Sequence, residues 1–262
     1  MNYNLNLNNM SYEIKTIDKF SYVEEGNGEV LLLLHGLFGA LSNYRDQIEH
    51  YKTKFRVIVP LLPIYEMSVF EASLGGLTRY THEFIEQMQL NNFLLLGNSL
   101  GGHIAALYTL KYPAKVRGLV LTGSSGLFES ALGTSFPKRG DYDFIKERTQ
   151  HTFYNPSTAT KELIDEVFEI VNNRVKAIKI IATAKSAIRH NLRDDLEQIK
   201  LPTLLIWGKD DTITPAFVGE EFNRLIEGSE LHFIDKCGHA PMMEQPIEFN
   251  QYLDDFISRL PK

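Results

Sequence analysis

The sequence predicts a doubly wound, mostly parallel α/β sheet with an inserted helical cap. Three observations predict it. Short runs that are apolar on both faces recur along the chain, and segments of helical period separate them. One long interval, residues 126–197, carries helical pattern but no run that reads as a buried strand.

Taken in order, "MNYNLNLNNM" (residues 1–10) is rich in asparagine and lacks both a basic start and an apolar stretch. It reads as a disordered polar leader and not as a signal peptide. "EIKTIDKFSYVEEGNGE" (13–29) reads as an antiparallel hairpin at the sheet edge. "VLLLLHG" (30–36), "FRVIVP" (55–60), "NFLLLGN" (92–98), "VRGLVLTG" (116–123) and "PTLLIWG" (202–208) read as buried parallel strands, with "ELHFID" (230–235) as a sixth. Helical patterns fall between them. Residues 81–90 carry Phe84, Ile85 and Met88 on one side, and 217–226 and 247–260 behave similarly. Within the interval, Leu163, Ile164, Val167, Phe168 and Val171 keep helical spacing, and 175–188 is again helical. The chain thus divides into a core, 11–125 with 198–262, and a cap, 126–197.

Composition limits the function. The 262 residues carry a net charge of −6, with both signs dispersed and no basic block, which argues against nucleic acid as a partner. The apolar runs are too short to span a bilayer, so no membrane partner is expected. Cys237 is the single cysteine, so an internal disulfide is excluded and a reducing compartment, the cytoplasm, is expected. A small-molecule substrate is the expected partner, and a homodimer is compatible with the chain.

The chemistry concentrates in "GNSLGG" (97–102), a G-x-S-x-G pattern set between a buried strand and an apolar helix. A sharp strand-to-helix turn crowds its neighbours, and glycines two before and two after Ser99 let it close. The turn raises the Ser99 hydroxyl above the strand ends, where the Leu100 N–H opens a helix and can face a developing negative charge. A serine hydroxyl needs a base, and the base needs an orienting acid. "WGKDDTITP" puts Asp210 and Asp211 past one strand end, and "DKCGHAPMMEQP" puts His239 past the next. In an open parallel sheet, sites gather at the carboxyl ends of strands. "HGLFG" (35–39) can present a second backbone donor, the N–H of Leu37, to complete an oxyanion hole with Leu100. His35 reads as a structural residue of that loop, and Cys237 as a packing residue.

With these four motifs in this order, the sequence resembles the α/β-hydrolase superfamily over roughly residues 13–260. The resemblance implies an oxyanion loop at "HGLFG", a nucleophile elbow at "GNSLGG", an acid turn at "WGKDD" and a histidine loop at "CGHAPMMEQP". Its pattern of tryptophan, glycine, two free residues and then the acid selects Asp211 over Asp210. A serine at the elbow sets the chain apart from haloalkane dehalogenases and epoxide hydrolases, which carry aspartate there. Within the superfamily the chain looks most like the carbon–carbon bond hydrolases of aromatic meta-cleavage pathways and the carboxylesterases. It departs from the former in having "GLFG" where they have glycine-proline-glycine. Val167 and Phe168 also stand where they carry an arginine and a tryptophan that hold a substrate carboxylate.

The implied function is a cofactor-free serine esterase. Ser99, His239 and Asp211 form its catalytic triad, Leu37 and Leu100 its oxyanion hole, and its substrate is a neutral ester or similar acyl compound. A C–C bond hydrolase with the same machinery is the first alternative, and a slow or non-catalytic small-molecule receptor the second. Phe38, Phe128, Phe168 and Met242 are expected to touch substrate, with Phe136, Phe153 and Met243 as further candidates. Arg174, Lys185 and Arg189 are the cap cations expected to replace the missing arginine if the substrate is anionic.

Overall fold

A computed structural model describes residues 4–7, 10–39, 44–130 and 138–261. Among them, eight strands form one sheet in the order β10-β9-β8-β7-β5-β6-β4-β3. These are β3 (Lys15–Ile17), β4 (Phe20–Glu25), β5 (Glu29–Leu34), β6 (Phe55–Pro60), β7 (Phe93–Asn98), β8 (Val116–Thr122), β9 (Thr203–Gly208) and β10 (Glu230–Ile234). From β6 to β10 every neighbouring pair is parallel, while β4 joins β6, and β3 joins β4, antiparallel. The six strands read from the sequence and the edge hairpin are therefore present.

The apolar runs arise because both faces of the sheet are covered. Leu32, Leu34, Ile58, Leu95, Leu119, Leu121, Leu205 and Trp207 point to one face, alternating with residues that point to the other. There they meet Leu77 and Phe84 of α2 (Leu74–Gln87), Ile104 and Tyr108 of α3 (Leu100–Lys111) and Phe222 of α7 (Ala216–Leu225). Leu31, Leu33, Val57, Leu94, Leu96, Val120 and Ile206 point to the opposite face. Ile48 of α1 (Arg45–Tyr51) and Phe249, Leu253 and Phe256 of α9 (Pro246–Arg259) cover them. The short α8 (Pro241–Glu244) leads into α9.

Between β8 and β9 lies a helical insertion: α4 (Tyr142–Gln150), α5 (Lys161–Asn172) and α6 (Arg174–Arg189). Each helix has a side-chain cap. Asp141 accepts from the Phe144 N–H, Thr160 from Leu163, and Asn173 from both Val175 and Lys176. Asn173 therefore ends α5 and starts α6 with no loop between them. Ile180 and Ala187 of α6 join the cluster under α2 and α3, which seats the insertion on the sheet.

The N-terminal segment departs from its reading as a disordered leader. Strands β1 (Asn4–Leu7) and β2 (Met10–Glu13) pair antiparallel. The asparagine content hid a two-residue alternation, "NLNL", which is a strand period. Tyr12 then anchors the hairpin: its ring is buried and its hydroxyl donates to Glu49 of α1 at 2.9 Å.

Candidate active site

Ser99 occupies the turn between β7 and α3 at φ 56°, ψ −120°, a backbone region that costs a non-glycine residue energy and persists only where the surroundings impose it. They do so here. A Cβ on Gly97 would collide with the Gly101 carbonyl, and one on Gly101 with the carbonyl of Leu34. The Ser99 N–H donates to Thr122 at 3.1 Å, and its carbonyl accepts from the N–H groups of His103 and Ser125 at 3.1 and 3.2 Å.

Asp211 follows β9 and is buried. Its Oδ1 accepts from the N–H groups of Ile213 and Thr214 at 2.8 and 2.9 Å, and its Oδ2 from the Thr214 hydroxyl at 2.8 Å. The same Oδ2 lies 2.9 Å from His239 Nδ1. Burial alone would depress the His239 imidazole. The Asp211 charge and hydrogen bond, with the charges of Glu129 and Glu244, outweigh it and raise the ring above its ordinary value. Asp210 stays exposed, with its N–H on the Cys237 carbonyl. A Cβ on Gly208 would collide with the backbone at 237–238, so the acid turn and the histidine loop can approach only through glycine.

Ser99 and His239 line one cavity of about 170 Å³ together with Leu37 and Leu100. Leu100 is the first residue of α3, where a backbone N–H has no acceptor within the helix. His35 shapes the Leu37 loop: its Nδ1 donates to the Gly36 carbonyl at 2.8 Å, and its Nε2 accepts from the Leu62 N–H at 3.0 Å. Burial, opposed by the Gly36 bond, lowers His35 to about 4, so the ring is neutral and can make both contacts. The Tyr65 hydroxyl donates to the Leu37 carbonyl at 3.1 Å.

The walls correct several expectations. Phe38 and Phe153 line the cavity with Ile145, Leu163, Val167 and Ile213. Phe128 does not: it is 49% exposed, its ring 5.4 Å from that of Phe217. Phe168 also lies outside the lining, because α5 turns Val167 inward and leaves Phe168 against the Tyr142 ring at 5.2 Å. Met242 is fully buried in the cluster on the α1–α9 face of the sheet, and Met243 packs on that cluster. Phe136 lies outside the described residues. Arg174, Lys185 and Arg189 of α6 do not reach the cavity wall, whereas Arg148 of α4 does. Cys237 is buried, and burial pushes its thiol up and keeps it unreactive.

Other residues at the site escaped the sequence reading. Asn98 Nδ2 donates to the carbonyls of Thr122 and His239, each at 3.1 Å. Glu129 lines the cavity, raised by burial against the pull of His239. Glu244 accepts from the Gly238 N–H at 2.8 Å with one oxygen, and from Tyr154 and Asn155 at 2.8 and 3.2 Å with the other. Further bonds join the insertion to both loops: the His239 N–H to Thr152, the Thr212 hydroxyl to His151, and the Ser130 N–H to Ile213. Asn98 stands next to Ser99 and Glu244 five residues past His239, but neither position signals the partner that its side chain meets.

Residues 31–252 match the model of the Alpha/beta hydrolase family. A 2-hydroxy-6-oxononadienedioate/2-hydroxy-6-oxononatrienedioate hydrolase of Escherichia coli (strain K12) is 30% identical, over 95% of this chain and all of that protein (100%). The monoacylglycerol lipase abhd6-B of Xenopus laevis is 26% identical, over 92% of this chain and 80% of that protein. Among solved structures, MGS-MChE2, an alpha/beta hydrolase enzyme from the metagenome of lagoon sediments at Mar Chica, Morocco, superposes with a TM-score of 0.77. It is 43% identical and covers 94% of this chain and 97% of that one.

Proposed function

The chain belongs to the alpha/beta hydrolase family and is a hydrolase, and from that premise we propose that it cleaves carboxylic esters or similar acyl compounds through a serine nucleophile. Ser99 attacks the carbonyl carbon and His239 takes the hydroxyl proton. Asp211 holds the ring in the Nδ1–H tautomer and offsets its charge. The N–H groups of Leu37 and Leu100 receive the negative oxygen of the tetrahedral intermediate. Collapse expels the alcohol, which takes the proton from His239. Water, deprotonated by the same ring, then releases the acid from Ser99.

The observation that carries this reading is the strained Ser99 turn opening into the cavity that His239 also lines, with His239 Nδ1 held 2.9 Å from Asp211. The walls favour an apolar acyl group of small or medium size. They act as the underside of a cap formed by the helical insertion. The test is labelling with a fluorophosphonate, read by mass spectrometry, followed by p-nitrophenyl esters of rising chain length. An adduct on Ser99 alone is expected, and an adduct on another serine, or none, overturns the assignment.

Carbon–carbon bond hydrolysis is the second reading. Arg148 in the cavity wall favours it, because a guanidinium there can pair with a substrate carboxylate. A tenfold or greater preference in kcat/KM for a meta-cleavage dienoate over a p-nitrophenyl ester would select it.

A further inference from the structure

Ser125 follows β8, is buried, and lines the cavity beside Ser99. Its hydroxyl lies 3.3 Å from His103 Nδ1 on α3. The other nitrogen of that ring, Nε2, lies 3.2 Å from Nδ1 of His190, an exposed residue just past α6. Three side chains thus run from the cavity to the surface, and the mechanism above uses none of them.

The donors in this row are coupled. Burial, and then the nearby His190 charge, lower His103 to about 3, so its ring is neutral and carries one N–H. Two arrangements satisfy the row. In the first, Ser125 donates to His103 Nδ1 and His103 Nε2–H donates to His190, leaving only oxygen lone pairs for the cavity. In the second, His190 Nδ1–H donates to His103 Nε2 and His103 Nδ1–H donates to Ser125, which frees the Ser125 O–H. A protonated His190 donates from both nitrogens and permits only the second.

We propose that His190 and His103 are positioning residues that set Ser125 as a hydrogen-bond donor to an oxygen of the substrate, with the protonation of His190 selecting the donor state. No covalent step is involved. The two arrangements differ in the tautomers of two rings and the rotation of one hydroxyl, and His190 exchanges its proton with solvent. The groove that His190 faces also carries Arg79 and His82 of α2, Lys111 of α3, Arg189 of α6, and Asp195. The substrate part of the proposal rests on the serine-hydrolase reading, while the tautomer coupling does not.

Two measurements test it. In 15N NMR of the intact protein, His103 is expected as the Nδ1–H tautomer at pH 6, shifting toward Nε2–H by pH 9. The shift should vanish in His190→Ala, a change at an exposed position. In kinetics, the ratio of kcat/KM between the wild type and Ser125→Ala for a p-nitrophenyl ester cancels the titration of His239, which both share. That ratio is expected to be about three- to tenfold at pH 6, the effect of one neutral hydrogen bond, and to fall toward unity by pH 9. In the His190→Ala background it should be flat. A His103 tautomer that ignores pH, or a ratio with the same pH dependence in both backgrounds, overturns the proposal. If Ser99 takes no fluorophosphonate while the tautomer still shifts, the hydrolase mechanism fails and the coupling stands.

Discussion

Asn98 donates from its amide to the backbone carbonyl of His239 at 3.1 Å, so the residue before the nucleophile holds the loop of the base. The same amide reaches Thr122 at the end of β8. One buried side chain therefore fixes the spacing of β7, β8 and the histidine loop. Asn98→Ala removes the side-chain donor to the His239 carbonyl and one of two donors to that of Thr122, which keeps the Ser99 N–H, and is expected to cost about 1–3 kcal/mol of stability. Denaturant titration reads that cost. At a temperature where the variant remains folded, kcat for an ester should fall while fluorophosphonate still finds Ser99.

Asp211 spends one oxygen on two backbone N–H groups and the other on Thr214 and His239, whereas Asp210 faces solvent. Asp211→Asn is expected to lower kcat by roughly four orders of magnitude, the scale of loss when a triad acid becomes an amide. Asp210→Asn should stay within about threefold, in line with a surface substitution. Steady-state kinetics on the pair decides the register of the acid turn.

His239 acts as a base only when neutral, and Asp211, Glu129 and Glu244 overcome its burial to raise it. Activity should therefore rise with pH through an ionisation above about 6.5, the ordinary histidine value. The kcat/KM profile of a slow ester, for which acylation limits the rate, reads it directly. A midpoint below about 6.5 would mean that burial outweighs the Asp211, Glu129 and Glu244 charges.

His35 and His103 are buried and lowered to about 4 and about 3, in each case chiefly by desolvation. Unfolding frees both rings to take protons below about pH 6.5. Stability from these two residues is thus fully present above that pH and is lost as pH falls toward 4 and then 3. Urea midpoints should drop steadily between pH 6.5 and pH 4, with roughly 3 kcal/mol lost on account of His35 alone. His35→Gln should flatten part of that slope.

The core strands were legible because burial on both faces leaves a continuous apolar run that few other structures require. The Ser99 turn was legible because its steric demands fall on residues two positions away. The cavity wall was not. Val167 and Phe168 are neighbours on one apolar stripe, and only the packing of α5 decides which of them meets substrate. Phe128 looked like a wall residue by type, yet its chain position carries it to the surface beside Phe217. Asn98, Glu244 and the His103–His190 pair act on partners far away in sequence, and no local pattern encodes such contacts.

The bonds that tie residues 151–155 to the acid turn and the histidine loop make this part of the helical insertion a brace for the acid and the base. The stretch just after α4 shares its hydrogen bonds with His239, Thr212 and Glu244, so it cannot lift without dismantling the Asp211–His239 geometry. α5 and α6 share one capping residue, Asn173. α6 is held to the core by Ile180, Ala187 and the bonds from Lys179 Nζ to the Tyr65 carbonyl at 2.7 Å and from the Leu74 N–H to the Ser186 hydroxyl at 3.2 Å, so the insertion is tied down at both ends.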